Sequence, residues 1–192
     1  MSASVEQRAA RIKLLLMDCD GVLTDGRIWL FDNGEEQKGF HTRDGLGLEL
    51  WHRAGLKSGI ISGRNSSAVY RRAQGLGMTF VVQGVKDKVQ TFDEMVAQAG
   101  VTNDEVAFIG DDLNDIPLIL RSGLGVAVAD AATEARERAH YVTRLAGGQG
   151  AVREVIEVIL KAQGRQRDVV EMVRKVIGTL PITYRLMVVR IS

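Results

Sequence analysis

Leu14-Leu15-Leu16-Met17-Asp18-Cys19-Asp20-Gly21-Val22-Leu23-Thr24-Asp25 joins an apolar run to two aspartates two positions apart, then to a glycine. The apolar residues predict a buried strand. Strand alternation puts Asp18 and Asp20 on one side of it. Both stand at its carboxyl end, where open α/β sheets receive their ligands. Two carboxylates that close repel each other unless a positive group joins them. A hard cation that prefers oxygen, such as Mg²⁺, is the expected partner. The plainer reading of the same residues is a strand ending in an Asx-type turn, since Asp and Gly are ordinary turn residues.

Three more predicted strand ends carry polar groups. Ile60-Ile61 runs into Ser62-Gly63-Arg64, and Gly84-Val85-Lys86-Asp87-Lys88 is a turn with lysines that opens a helix. Val106-Ala107-Phe108-Ile109 runs into Gly110-Asp111-Asp112-Leu113-Asn114-Asp115. The chain order is acidic pair, hydroxyl, lysine, acidic cluster. This ordered set, spread over residues 14–115, resembles the haloacid dehalogenase-like phosphohydrolases.

The resemblance narrows between residues 25 and 47. Two β-type runs flank Asp32-Asn33-Gly34, and Asn-Gly is a strong hairpin signal because both residues tolerate positive φ. Gly34-Glu35-Glu36, then Lys38, then Phe40-His41-Thr42-Arg43-Asp44-Gly45-Leu46-Gly47 is similar to one branch of the family. That branch contains 3-deoxy-D-manno-octulosonate 8-phosphate phosphatase. Gly147-Gly148-Gln149-Gly150-Ala151-Val152-Arg153-Glu154-Val155 is similar to it too. The likeness reaches about Gly164. Residues 165–192 form a tail that ends in an apolar stretch, and their structure is left open.

Composition sets the outer bounds. The chain has 192 residues, 45% hydrophobic and 26% charged, as expected of one globular domain with its own core. A formal net charge of +1 gives no polybasic footprint for nucleic acid or an anionic membrane. The single cysteine, Cys19, excludes an intramolecular disulfide and fits a reducing compartment. Met1 to Arg11 is polar and lacks the apolar core of a signal peptide. No run is long enough to span a membrane, so a cytoplasmic protein is expected.

Apolar runs at Leu14–Met17, Leu56–Ile61, Phe80–Val82, Val106–Ile109 and Gly125–Val128 predict strands. Amphipathic stretches at Asp44–Ala54, Ser66–Gly75, Asp87–Ala99, Asn114–Ser122, Ala132–Ala139 and Ala151–Ala162 predict helices. Asn65 and Asp104 stand where caps or turns are needed. Pro117 fits a first helical turn. The alternation predicts an α/β fold, a Rossmann-like three-layer arrangement with a mostly parallel sheet. A β-hairpin insert at about residues 26–41 is the one candidate cover for the site. No cap domain fits into residues 1–164.

The resemblance implies roles residue by residue. Asp18 is the expected nucleophile, forming an aspartyl-phosphate. Asp20 is the expected general acid and then base, with a pKa above that of Asp18. Its backbone carbonyl, with Asp18 and Asp111, is expected to hold Mg²⁺. Asp112 and Asp115 are expected to hold metal-bound waters or to orient Asp111 and Lys88. Ser62 and Lys88 are expected on the transferring phosphoryl group, with Lys86 as the rival lysine. Arg64 is placed for a substrate carboxylate. Arg43 is either a substrate contact or an ion-pair partner of Asp44 at the hairpin base.

Other residues have plainer expected roles. His41, His52 and His140 read as structural or surface groups, and Cys19 as an inert buried thiol. Trp29 and Phe31, on one side of a hairpin strand, read as interface or core. Similar phosphatases are tetramers in which hairpins cover neighbouring sites, so a homotetramer is expected. The substrate is expected to be 3-deoxy-D-manno-octulosonate 8-phosphate, for lipopolysaccharide core sugar synthesis. The alternatives are another sugar acid phosphate, or a non-catalytic assembly module that keeps the fold.

Overall fold

Leu14–Met17 is buried on both faces, which only a central strand with helices above and below can achieve. This strand, β1, pairs in parallel with β4 (Lys57–Ser62) on one edge and β6 (Val106–Gly110) on the other. Phe80–Gln83 (β5) extends the sheet beyond β4, and Leu124–Ala127 (β7) and Tyr141–Val142 (β8) extend it beyond β6. The order is β5-β4-β1-β6-β7-β8, with every pair parallel. The chain winds outward in both directions from β1, so the crevice at its carboxyl end is a topological switch point. The computed structural model describes residues 3–165. The expected tail lies outside the described residues from 166 onward.

Helices close both faces. Val5–Ala9 (α1), Thr42–Arg53 (α2) and Ala151–Ala162 (α7) pack together on one side. Lys88–Ala99 (α4), Ile116–Arg121 (α5) and Thr133–Arg138 (α6) form a second group. Ser67–Gly75 (α3) links β4 to β5. Phe92 of α4 meets Phe108 of β6 edge to face at 6.3 Å. Trp51 is fully buried and its indole N–H donates to the Lys57 carbonyl at 2.7 Å. Each large side chain sealed this way contributes about 1.5–3 kcal/mol. Among the described residues no helix is long and apolar enough to cross a membrane.

Several sequence expectations shift. β4 and β7 lie one residue from their predicted places, and α1 and β8 were not predicted. The predicted helix at Asn114 begins instead with a 3-10 turn, Leu113–Asp115, and becomes α-helical at Ile116. The reason is Asp115, whose side chain is turned back onto the preceding loop. The cap of α3 is Ser66 rather than Asn65, and Asp104 sits inside a 3-10 turn capped by Thr102.

The hairpin strands β2 (Trp29–Leu30) and β3 (Glu36–Gln37) are short. They are joined by a turn closed from the Phe31 amide to Glu35 and from the Gly34 amide back to Phe31. Gly34 alone adopts positive φ (82°), while the Asn33 side chain accepts from the Glu35 amide.

The Arg43–Asp44 ion pair does not form. Asp44 is fully buried and accepts from the backbone amides of Gly150 (3.2 Å) and Arg153 (2.8 Å). It therefore caps α7 from α2, where the amide dipoles favour a carboxylate. Glu154, one turn into α7, accepts from Tyr141 Oη at 2.6 Å and from the amides of Arg144 and Leu145. These two acids anchor the glycine-rich loop before α7. That loop in turn donates from the Gly148 amide to Val22, behind the loop that follows β1.

Candidate active site

Four strand ends meet at the switch point. Asp18 follows β1, and its amide still donates to Ile109 of β6 at 3.0 Å, so the ladder holds the residue in place. Ser62 ends β4 and is buried, and its carbonyl accepts from the Val85 amide at 3.1 Å. That bond draws the loop ahead of α4 toward β4. Lys88 opens α4 behind an Asp87 cap. Its Nζ donates to Asp18 Oδ1 and to Asp115 Oδ1, both at 2.7 Å. Lys86 is exposed, so the ammonium within the acidic cluster is that of Lys88.

Asp115 is fully buried and spends both oxygens on positioning. Oδ1 takes Lys88, and Oδ2 takes the amides of Asp111 (3.1 Å) and Asp112 (3.4 Å). Asp112 is exposed and caps Leu113 at 2.7 Å. Asp111 leans against Gly21, the residue after the acidic pair. Gly21 has φ +92°, and a Cβ there would stand 2.1 Å from Asp111 Oδ2. Only glycine permits both the backbone turn and the close carboxylate.

Carboxylate oxygens of Asp18, Asp111 and Asp115 lie within 4.8 Å of one another. Burial, then the charge of Asp115, pushes the Asp18 carboxyl up to about 6 despite the opposing pull of Lys88. Burial, followed by Asp115, Asp18 and Asp112, pushes Asp111 up to about 8. Burial pulls Lys88 down, but Asp18 and Asp115 outweigh it and the net push is upward. One ammonium thus faces three acids. Asp115 is engaged with Lys88 and two amides, which leaves Asp18 and Asp111 as the oxygen donors for a cation. An all-oxygen donor set with surplus negative charge fits Mg²⁺.

Asp20 lies across the loop, and sequence reasoning missed its closest partner. Lys38 Nζ bridges both Asp20 oxygens at 2.6 and 2.8 Å. Glu36 lies 3.9 Å from Lys38 and 3.5 Å from Arg64, and Arg64 lies 3.6 Å from Asp20. The signal was present: Glu36 and Lys38 are two residues apart, at and just past the short strand β3, so extended chain there puts them on one side. Nothing in sequence showed that this side faces Asp20.

The other expected residues scatter. Arg43 is exposed and lines a separate cavity with Arg144 and Arg153. His41 caps α2 through Nδ1, His52 meets Ser58 Oγ at 2.7 Å, and His140 Nδ1 accepts from the Gly125 amide. Burial pushes the Cys19 thiol far up, leaving it inert. Trp29, Leu30 and Phe31 are 61, 75 and 52% exposed, so they are not core.

Comparison with known proteins identifies the family. A family model described as haloacid dehalogenase-like hydrolase matches residues 75–156. The 3-deoxy-D-manno-octulosonate 8-phosphate phosphatase KdsC of Escherichia coli (strain B / BL21-DE3) is 44% identical over 165 residues, 86% of this chain and 88% of the relative. Its namesake from Yersinia pestis is 46% identical over 161 residues, 84% of this chain and 86% of that one. The crystal structure of the Moraxella catarrhalis phosphatase of that name holds magnesium, phosphate and a KDO molecule. It superposes with TM-score 0.85 at 39% identity, covering 88% of this chain and 97% of that one. On this identity and coverage, and with the acidic strand ends as described, the chain belongs to the haloacid dehalogenase-like hydrolases, among their phosphatases.

Proposed function

We propose that the chain is a Mg²⁺-dependent phosphatase acting on 3-deoxy-D-manno-octulosonate 8-phosphate in the synthesis of the lipopolysaccharide core sugar. The observation that carries this reading is Lys88 joining Asp18 to Asp115 beside Asp111, in a chain 44% identical to a phosphatase of that substrate. Asp18 and Asp111, with the Asp20 backbone carbonyl, are the ligands for Mg²⁺. When bound, the ion offsets carboxylate charge and draws in the phosphate dianion.

An Asp18 oxygen attacks phosphorus, the ester oxygen departs, and Asp20 supplies its proton. Water then attacks the aspartyl-phosphate, Asp20 takes the water proton, and Asp18 leaves as carboxylate. Ser62 donates a hydrogen bond to the phosphoryl group and Lys88 supplies charge, which is most of what phosphoryl transfer asks of a protein. Arg64, half exposed at the mouth, is the candidate for the sugar acid carboxylate. Arg43 is outside this set, since its cavity contains none of the acidic cluster.

Residues 1–164 form the phosphatase domain in this reading, and the hairpin at 26–41 is its assembly element. Exposed Trp29, Leu30 and Phe31 on a two-stranded hairpin with free outer edges support a homotetramer built through the hairpins. The enzyme works in the cytoplasm in this reading.

The test is phosphate release from a panel of sugar acid phosphates, with Mg²⁺ and with chelator. The 3-deoxy-octulosonate ester should be the best substrate, chelator should stop the reaction, and folded Asp18→Asn should be inactive. Turnover by Asp18→Asn, or full activity in chelator, would overturn the mechanism. Preference for another sugar acid would move the substrate assignment alone.

A further inference from the structure

Lys38 has no part in the chemistry above, yet its side chain is more deeply buried than that of Lys88, 1% exposed against 9%. An ammonium goes to that depth only when paired. Both close contacts of Nζ are to Asp20, one to each oxygen, and Glu36 stands farther off at 3.9 Å. A carboxylate held at both oxygens cannot turn about its last torsion. Arg64 also approaches Asp20, but at 3.6 Å from a side chain half in solvent, where ion pairs contribute little.

The two halves of the reaction ask different things of Asp20. In the first half it carries a proton to the departing ester oxygen. In the second half, water oxygen forms a bond to phosphorus while the bond from phosphorus to Asp18 breaks. The electron pair returns to Asp18, and the water proton passes to Asp20. That step needs an ionised Asp20 aimed at the water. The Lys38 bridge already fixes that carboxyl group in orientation.

We propose that Lys38 is a positioning residue for breakdown of the aspartyl-phosphate, holding Asp20 where its carboxylate receives the proton of the attacking water. The proposal rests on the reading of Asp20 as proton carrier.

The test uses p-nitrophenyl phosphate, whose leaving group needs no proton, so the first half runs without help from Asp20. In Lys38→Met the first turnover should keep its parent rate. Steady-state release should fall about 10- to 100-fold, the range expected for loss of a charge-assisted hydrogen bond. Acid-quenched protein should carry trapped phosphate approaching one per site. Lys38→Arg should recover most of the rate, because a guanidinium can bridge both oxygens. If Lys38→Met does not fold, Lys38→Gln carries the same expectation.

Steady-state release within about twofold of the parent would overturn the proposal, as would a fall without trapped phosphate. Asp20→Asn, assayed in parallel, separates the two readings. If it turns over like the parent, the role of Asp20 itself is wrong. If it traps phosphate and Lys38→Met does not, only the role of Lys38 is wrong.

Discussion

Asp115→Asn removes one charge and almost no volume at the centre of the site. The amide cannot reproduce the carboxylate's contacts. With its oxygen toward Lys88, its NH₂ faces the amides of Asp111 and Asp112. With the oxygen turned the other way, NH₂ faces the ammonium. Breaking a buried pair from one side costs about 3–5 kcal/mol. Part returns, because Asp115 also repels Asp18 and Asp111. A net loss of roughly 2–4 kcal/mol remains. For a chain this size each kcal/mol is about 2–4 °C, so the melting temperature should fall by roughly 4–16 °C.

The assay is thermal unfolding by circular dichroism in chelator at neutral pH. Asp112→Asn is the control, because exposed Asp112 caps Leu113 without bonding to Lys88, and its loss should cost about 1 kcal/mol or less. Phosphate release by Asp115→Asn should fall at least about tenfold, since both Lys88 and the Asp111 backbone lose a support. Melting within about 2 °C of the parent, or equal losses in the two variants, would refute the assignment of Asp115 as the internal anchor.

Three further expectations follow from the same geometry. In the metal-free protein Asp18 near 6 and Asp111 near 8 both lie above the ordinary 3.8, so the folded state holds protons that the unfolded chain has shed. Metal-free stability should therefore fall as pH rises through that window, and Mg²⁺ affinity should rise about tenfold per pH unit from 6 to 8, then flatten. Calorimetric titration showing pH-independent affinity would contradict this. Gly21→Ala puts a methyl into Asp111 and should raise the Mg²⁺ midpoint for activity at least about tenfold while the protein folds; an unchanged midpoint would remove Asp111 from the metal. Trp29→Glu should lower both the mass seen by light scattering and turnover of the sugar phosphate, and a fully active parent monomer would end the assembly reading.

Strand cores and their acidic ends were readable because each is a short contiguous signal. Leu14–Met17 has no polar residue to break it, and Asp18 and Asp20 follow directly. The same holds for Val106–Ile109 and Asp111. Lys88 was harder, since Lys86 and Lys88 differ only in which one the start of α4 turns inward. Lys38 was out of reach because its partner, Asp20, belongs to another strand end, and only the tertiary placement of the hairpin brings them together. Asp44 looked like half of a local ion pair with Arg43. Its true partners are amides at the start of α7, more than a hundred residues away. Long-range capping of that kind leaves no local trace.

β1 is the first strand made, yet its partners come from far along the chain. Its two edges stay unpaired until Lys57–Ser62 and then Val106–Gly110 have been synthesised. At about 5–20 residues per second, the interval to β6 is roughly 5–20 s. The ribosome carries an apolar strand with two open edges until β4 is made and with one open edge until β6 follows, the kind of segment that invites chaperones or aggregation. For most of that interval the chain also carries Asp18 and Asp20 before Lys88, and then Asp111 and Asp115, have been made. On the proposed reading, the nascent chain therefore holds its nucleophile, Asp18, without its full set of charged neighbours until the sheet closes.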